Sequence, residues 1–106
     1  VKRVLALALM IGSAHAEFVD GNKLLSNMKD SSYYMQGHAL GYIVGVADTG
    51  VGIIHCAPYN ATAGQMHDMV KNYLENTPAD RHLSGDTVIN KVLKAVWPCA
   101  KRGNSM

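Results

Sequence analysis

The sequence has 106 residues, 48% of them hydrophobic, with two cysteines and a net charge of +2, which is enough apolar material for one small domain and one core. Lys2 and Arg3 account for the excess charge, because from Glu17 onward basic and acidic residues number 8 each. The body of the chain therefore offers no basic surface for nucleic acid or anionic lipid, and its partners are expected among proteins or small molecules.

In chain order, residues 1–16 read as a secretory signal peptide. Lys2 and Arg3 form a positive start, Val4 to Ile11 an apolar run, and Ala14-His15-Ala16 a small-residue cleavage site ahead of Glu17. Residues 17–106 then form a single helical domain. Asp20-Gly21-Asn22 opens a first short helix, in which Leu24, Leu25 and Met28 recur at helical spacing up to Lys29. Ser31 or Ser32 caps a second helix that runs at least to Asp48 and carries the longest apolar run of the chain.

Within that helix Gly37, Gly41 and Gly45 fall four residues apart, on one face, where the missing side chains leave a groove that another helix can enter. A buried central helix is expected. A membrane span fails on length, since only Ala39 to Ala47 separate His38 from Asp48 and a span needs about 20 residues. The mature chain is thus expected not to insert into a membrane. Thr49-Gly50-Val51-Gly52 marks the end of the helix, and Ile53-Ile54 a short buried piece before Cys56.

Ala57 to Ala61 is read as a loop with Tyr59 near its tip. Thr62-Ala63-Gly64-Gln65 then matches a capping box, followed by Met66, Met69, Val70, Tyr73 and Leu74 on one helical face. Asn76-Thr77-Pro78 stops this third helix, and the polar segment to His82 follows. Ser84 or Asp86 caps a last helix whose apolar face is Val88, Ile89, Val92, Leu93, Val96 and Trp97, ended by Pro98-Cys99; the tail from Ala100 to Met106 is expected to fray. No strand-like alternation or repeat interrupts this pattern. The fold class is all-α, a small four- to five-helix bundle.

Cys56 and Cys99 in an exported chain point to one disulfide, with a catalytic thiol or a metal ligand as the competing roles. His38, His55, His67 and His82 stand at intervals of 17, 12 and 15 residues, which match no metal-ligand motif. They are expected at or near the surface, and neither a metal nor another cofactor is expected. Asp48 ends the apolar run and is a candidate for burial, with Arg81 or a backbone group as its partner. No second carboxylate stands at helical spacing from it, so catalysis is not expected, and the chain is not read as an enzyme.

Taken in order, Gly41-Tyr42-Ile43-x-Gly45-Val46-x-Asp48, Cys56-x-Pro58, Thr62-x-x-Gln65, Tyr73-Leu74, Pro78, Arg81-His82 and Pro98-Cys99 resemble the Rap/Tai family of type VI secretion amidase immunity proteins. The resemblance spans Gly21 to Cys99. It implies a periplasmic, mostly dimeric helical protein that binds a peptidoglycan amidase effector and occludes its active-site cleft with a loop and a neighbouring helix. Family members commonly carry two further cysteines, about where Met28 and His38 stand here. Their joint absence supports pairing of Cys56 with Cys99.

The matched positions hold the fold, so partner-binding residues are chosen on exposure and polarity alone: Tyr59 and Asn60 in one loop, and Asn76, Thr77, Asp80, Arg81 and His82 in the other. The alternative reading is a small periplasmic stress or chaperone-like protein, for which the methionines at predicted helix faces would serve as an adaptable surface.

Overall fold

The computed structural model describes residues 18–100; the expected signal peptide and the end of the polar tail lie outside the described residues. Four α-helices form the domain: α1 (Gly21–Met28), α2 (Tyr33–Gly50), α3 (Ala63–Asn76) and α4 (Gly85–Val96), with a 3₁₀ turn at Pro78–Asp80 between α3 and α4. Each helix touches the other three, and the architecture is the small all-α bundle expected from the pattern.

The helices start where side chains can satisfy free backbone N–H groups. The Asp20 carboxylate accepts from the Lys23 N–H at 2.8 Å and the Ser32 hydroxyl from the Met35 N–H at 3.4 Å. At α3 the capping box is complete, because the Gln65 N–H donates to the Thr62 hydroxyl at 3.1 Å and the Thr62 N–H to the Gln65 side chain at 2.9 Å. Ser84 caps α4 by position only; its hydroxyl bonds to Asp86 and Thr87 side chains, while Asp86 Oδ1 takes the Thr87 N–H.

The core gathers one stripe from each helix: Leu24, Leu25 and Met28; Ala39, Ile43 and Ala47; Val70 and Leu74; Val88, Ile89, Val92 and Leu93. Two glycines permit the closest approaches. A methyl group at Gly21 would stand 2.8 Å from the Arg81 carbonyl oxygen, and one at Gly85 2.8 Å from the Tyr42 ring. Around them the chain clasps itself through Gly21 N–H to Leu83 O, Asn22 N–H to Arg81 O and Gly85 N–H to Val19 O, all within 2.9 Å. This clasp ties the start of α1 to the start of α4.

Three expectations are corrected here. Gly37, Gly41 and Gly45 are exposed, and among the described residues no heavy atom outside the helix lies within 4 Å of a methyl built on any of them. None of the described helices enters their groove, because the core side of α2 is set by Ala39, Ile43 and Ala47 and the glycines fall opposite. Each glycine inside a helix costs about 1 kcal/mol relative to alanine, and among the described residues no packing against these three offsets it. Ile53 and Ile54 are exposed as well, and His55, expected at or near the surface with the other histidines, is instead fully buried.

Candidate partner-binding site

The geometry of the first loop starts at the end of α2. The Gly50 carbonyl accepts N–H groups from Ile53, Ile54 and His55 at 3.0, 2.8 and 3.3 Å, and Gly52 sits at φ +83°, a conformation that side chains rarely tolerate. This winding turns Ile53 and Ile54 outward and His55 inward. The His55 ring donates from Nε2 to the Ala47 carbonyl at 3.0 Å and accepts the Ala57 N–H at Nδ1 at 3.2 Å, so both ring nitrogens are used and the Nε2–H tautomer is selected.

Beyond it, the Cys56 N–H donates to the Trp97 carbonyl at 2.8 Å, and Cys56 and Cys99 are joined by a disulfide with Cα atoms 4.9 Å apart. The loop from Ala57 to Ala61 therefore leaves one fixed post and enters another, the Thr62 cap. Tyr59 at its tip is fully exposed, and Asn60 beside it is exposed.

The second loop is held from inside the domain. The Asn76 amide donates to the Asn72 carbonyl and side-chain oxygens at 2.8 and 2.9 Å. Arg81 donates from Nε to the Leu74 carbonyl at 2.7 Å and from its terminal nitrogen to the Glu75 carbonyl at 3.0 Å. Its guanidinium thus covers free carbonyls at the negative end of the α3 dipole. Arg81 is committed there, and Asp48, its expected partner, is exposed.

Asp80 accepts from the Tyr73 hydroxyl and from the Lys91 ammonium, the latter at 2.8 Å, while Lys91 Nζ stands 5.8 Å from the Tyr73 ring centre. The Lys91 hydrogen bond first, and the Tyr73 hydrogen bond second, hold the Asp80 carboxyl below its ordinary value of 3.8, and Asp80 in turn raises the Lys91 ammonium above 10.5.

A carboxyl whose folded value is lowered contributes stability above its unfolded value and loses that contribution as pH falls through the folded one. Lys91 does the reverse at the alkaline end. Asp80→Asn is accordingly expected to lower the urea midpoint at neutral pH, with the gap from the parent closing as pH falls through the ordinary carboxyl value of 3.8 and below it. Urea titrations across that range check it, and a gap that stays constant on acidification would show that Asp80 acts through shape alone.

The seven residues chosen from the sequence do not form one patch. Tyr59 and Asn60 precede the start of α3, Asn76 to His82 follow its end, and the 14 residues of α3 separate them by about 21 Å. In the second group Asn76 and His82 are exposed, while Thr77, Asp80 and Arg81 are half-buried. A groove between α3 and α4 adjoins Asn76 and Thr77 and is floored by Met69, Val92 and Val96. Sequence reasoning missed the roles of Tyr73 and Lys91, because their meeting with Asp80 is made by two helices packing together and has no local signature.

Among the described residues no group of three His, Cys, Asp or Glu could hold a metal ion, and no helix is long and apolar enough to cross a membrane. The chemistry on offer is recognition: one aromatic on a tethered loop, and a braced polar turn beside an apolar groove. No curated protein matches the chain. The family model of the Rap1a immunity proteins matches it over residues 20–99, a span that runs from the cap of α1 through all four helices to Cys99. With the fold, the disulfide and that match in agreement, the chain belongs to the Rap1a immunity protein family.

Proposed function

We propose that this is a periplasmic immunity protein that binds a type VI secretion peptidoglycan amidase and occludes its active-site cleft without catalysis of its own. The observation that carries the reading is the family match over the whole described bundle, and the tethered loop supplies a physical means. An inhibitor of this kind needs shape and desolvation, and a loop fixed at both ends loses little freedom on binding. Tyr59 is the natural anchor, because an aromatic side chain that passes from full exposure into a cleft buries a large apolar area. The disulfide fits a chain that works in an oxidising compartment, and a homodimer is part of the same reading.

Titration of the oxidised protein into a panel of type VI peptidoglycan amidases, following heat and residual hydrolysis together, tests it. A dissociation constant below about 100 nM with loss of hydrolysis is expected, and Tyr59→Ala is expected to weaken binding by about 2 kcal/mol, or roughly 30-fold. Absence of binding across the panel would reject the amidase. Binding that Tyr59→Ala leaves untouched would move the contact to the turn at Asn76 to His82 and its groove.

A further inference from the structure

The turn that follows α2 presents apolar side chains that the core does not use. Ile53 is 81% exposed and Val51 49%, while Ile54, at 40%, leans back on the helix end with its Cβ 3.5 Å from a methyl built on Gly50. A single exposed apolar residue needs no explanation, but three within one turn make a patch.

The patch is firmly held. Besides the three N–H groups on the Gly50 carbonyl, the Val51 N–H donates to the Ala47 carbonyl at 3.0 Å and the Gly52 N–H to the His55 carbonyl at 2.7 Å. Its base is pressed against α4, because a methyl on Gly50 would also stand 3.3 Å from the Asn90 side-chain oxygen. Further on, the Ala61 N–H closes a turn on the Pro58 carbonyl at 2.9 Å and so fixes the tip that carries Tyr59. Ile53 and Tyr59 are thus two braced projections, one on either side of the disulfide-bonded Cys56. Little freedom remains to be lost when they enter a partner.

Charge decides what kind of surface they fit. Residues 49–67 include no Asp, Glu, Lys or Arg. Of the two histidines in this stretch, His55 is buried with both ring nitrogens bonded, and His67 lies 3.2 Å from Asp68. The far end of α3 is the opposite, with Lys29 4.0 Å from Glu75 and Lys91 2.8 Å from Asp80. Neutral apolar projections gain by displacing water from an apolar cleft and lose by desolvating charge. Lipid is the other apolar medium, but binding to an anionic bilayer is driven by flanking Lys or Arg, which residues 49–67 lack.

We propose that the turn at residues 51–54 is a second contact with the effector protein, with Ile53 as its anchor, and that Ile53 and Tyr59 together enter an uncharged, apolar part of the effector's cleft. This rests on the effector reading of the preceding section and adds to it a second anchoring residue and the chemistry of the opposing surface.

The experiment takes the amidase panel and titrates it with the oxidised parent, Ile53→Ser and Ile53→Leu. Ile53→Ser is expected to raise the dissociation constant at least about 10-fold, and Ile53→Leu, which keeps the volume, by less than about 3-fold. The urea midpoints of both variants are expected to match the parent, because the side chain is exposed. The parent's dissociation constant is expected to move by less than about 3-fold between about 50 and about 500 mM salt, since a neutral contact is not screened.

Binding that Ile53→Ser leaves unchanged overturns the proposal while the effector reading stands. Affinity that falls by about 10-fold or more with salt overturns the uncharged cleft and gives the contact to the charged end of α3. Absence of binding to every amidase overturns both readings. If Ile53→Ser instead alters only the protein's own sedimentation, or its binding to phosphatidylcholine and phosphatidylglycerol vesicles, the turn serves a second copy or lipid, and the proposal is likewise overturned.

Discussion

Replacing Cys56 and Cys99 together by serine is expected to lower the stability of the domain by about 4 kcal/mol. The bond closes a sequence separation of 43 residues, and the chain-entropy relation gives that figure for a loop of this length. Against a total of about 5–15 kcal/mol for a small domain, it removes a large fraction of what holds the fold. The loss has a structural focus as well.

Cys56 is the post from which the Tyr59 loop departs, and its N–H is the group that meets the Trp97 carbonyl, so the end of α4 and the start of the loop come loose together. Urea denaturation of the serine variant beside the oxidised parent measures the effect. A difference under about 1 kcal/mol would mean that the unfolded chain is already compact around this loop. Where the variant stays folded, its affinity for the effector proposed above is expected to fall because the loop must then be ordered on binding.

His55→Leu is expected to cost about 3 kcal/mol even though leucine fills much of the same space. The imidazole is fully buried and serves two backbone groups at once, the Ala47 carbonyl at 3.0 Å and the Ala57 N–H at 3.2 Å. Leucine meets neither. Ala47 keeps a second bond from the Val51 N–H at 3.0 Å, so the larger part of the penalty falls on the orphaned Ala57 N–H.

The same substitution at the exposed His38 or His82 is expected to change stability by no more than about 0.5 kcal/mol. Urea midpoints of the three variants decide the matter, and a His55 variant within that smaller margin would show that the turn can refold around a lost ring. Proteolysis at the Ala57 to Ala61 loop gives a second reading, since His55 fixes its base.

Much of the secondary structure was legible because the signals are local. Asp20, Ser32 and the pair Thr62 and Gln65 cap the helices they precede, and Pro78 stops α3, through contacts within three or four residues. The disulfide was legible for a simpler reason: two cysteines in a chain expected to be exported leave one pairing. The order of short motifs pointed to the family, and the family model confirmed it.

What the tertiary structure alone decided was which way each pattern faces. The spacing of Gly37, Gly41 and Gly45 correctly defines one side of α2 but carries no information about whether that side meets the core, solvent or another chain. The glycines on which the fold does depend for space, Gly21 and Gly85, stand alone in the sequence, and only the approach of the Arg81 carbonyl and the Tyr42 ring reveals them.

Ile53, Ile54 and His55 teach the same lesson. Hydropathy ranks the isoleucines for burial, yet the turn around Gly52 rotates them outward and buries the residue that can satisfy two backbone groups. The union of Asp80, Tyr73 and Lys91, like the placement of the two loops at opposite ends of α3, comes from packing between helices. A sequence states periodicity and capping, which are properties of a few neighbouring residues; orientation and long-range pairing are properties of the packed chain.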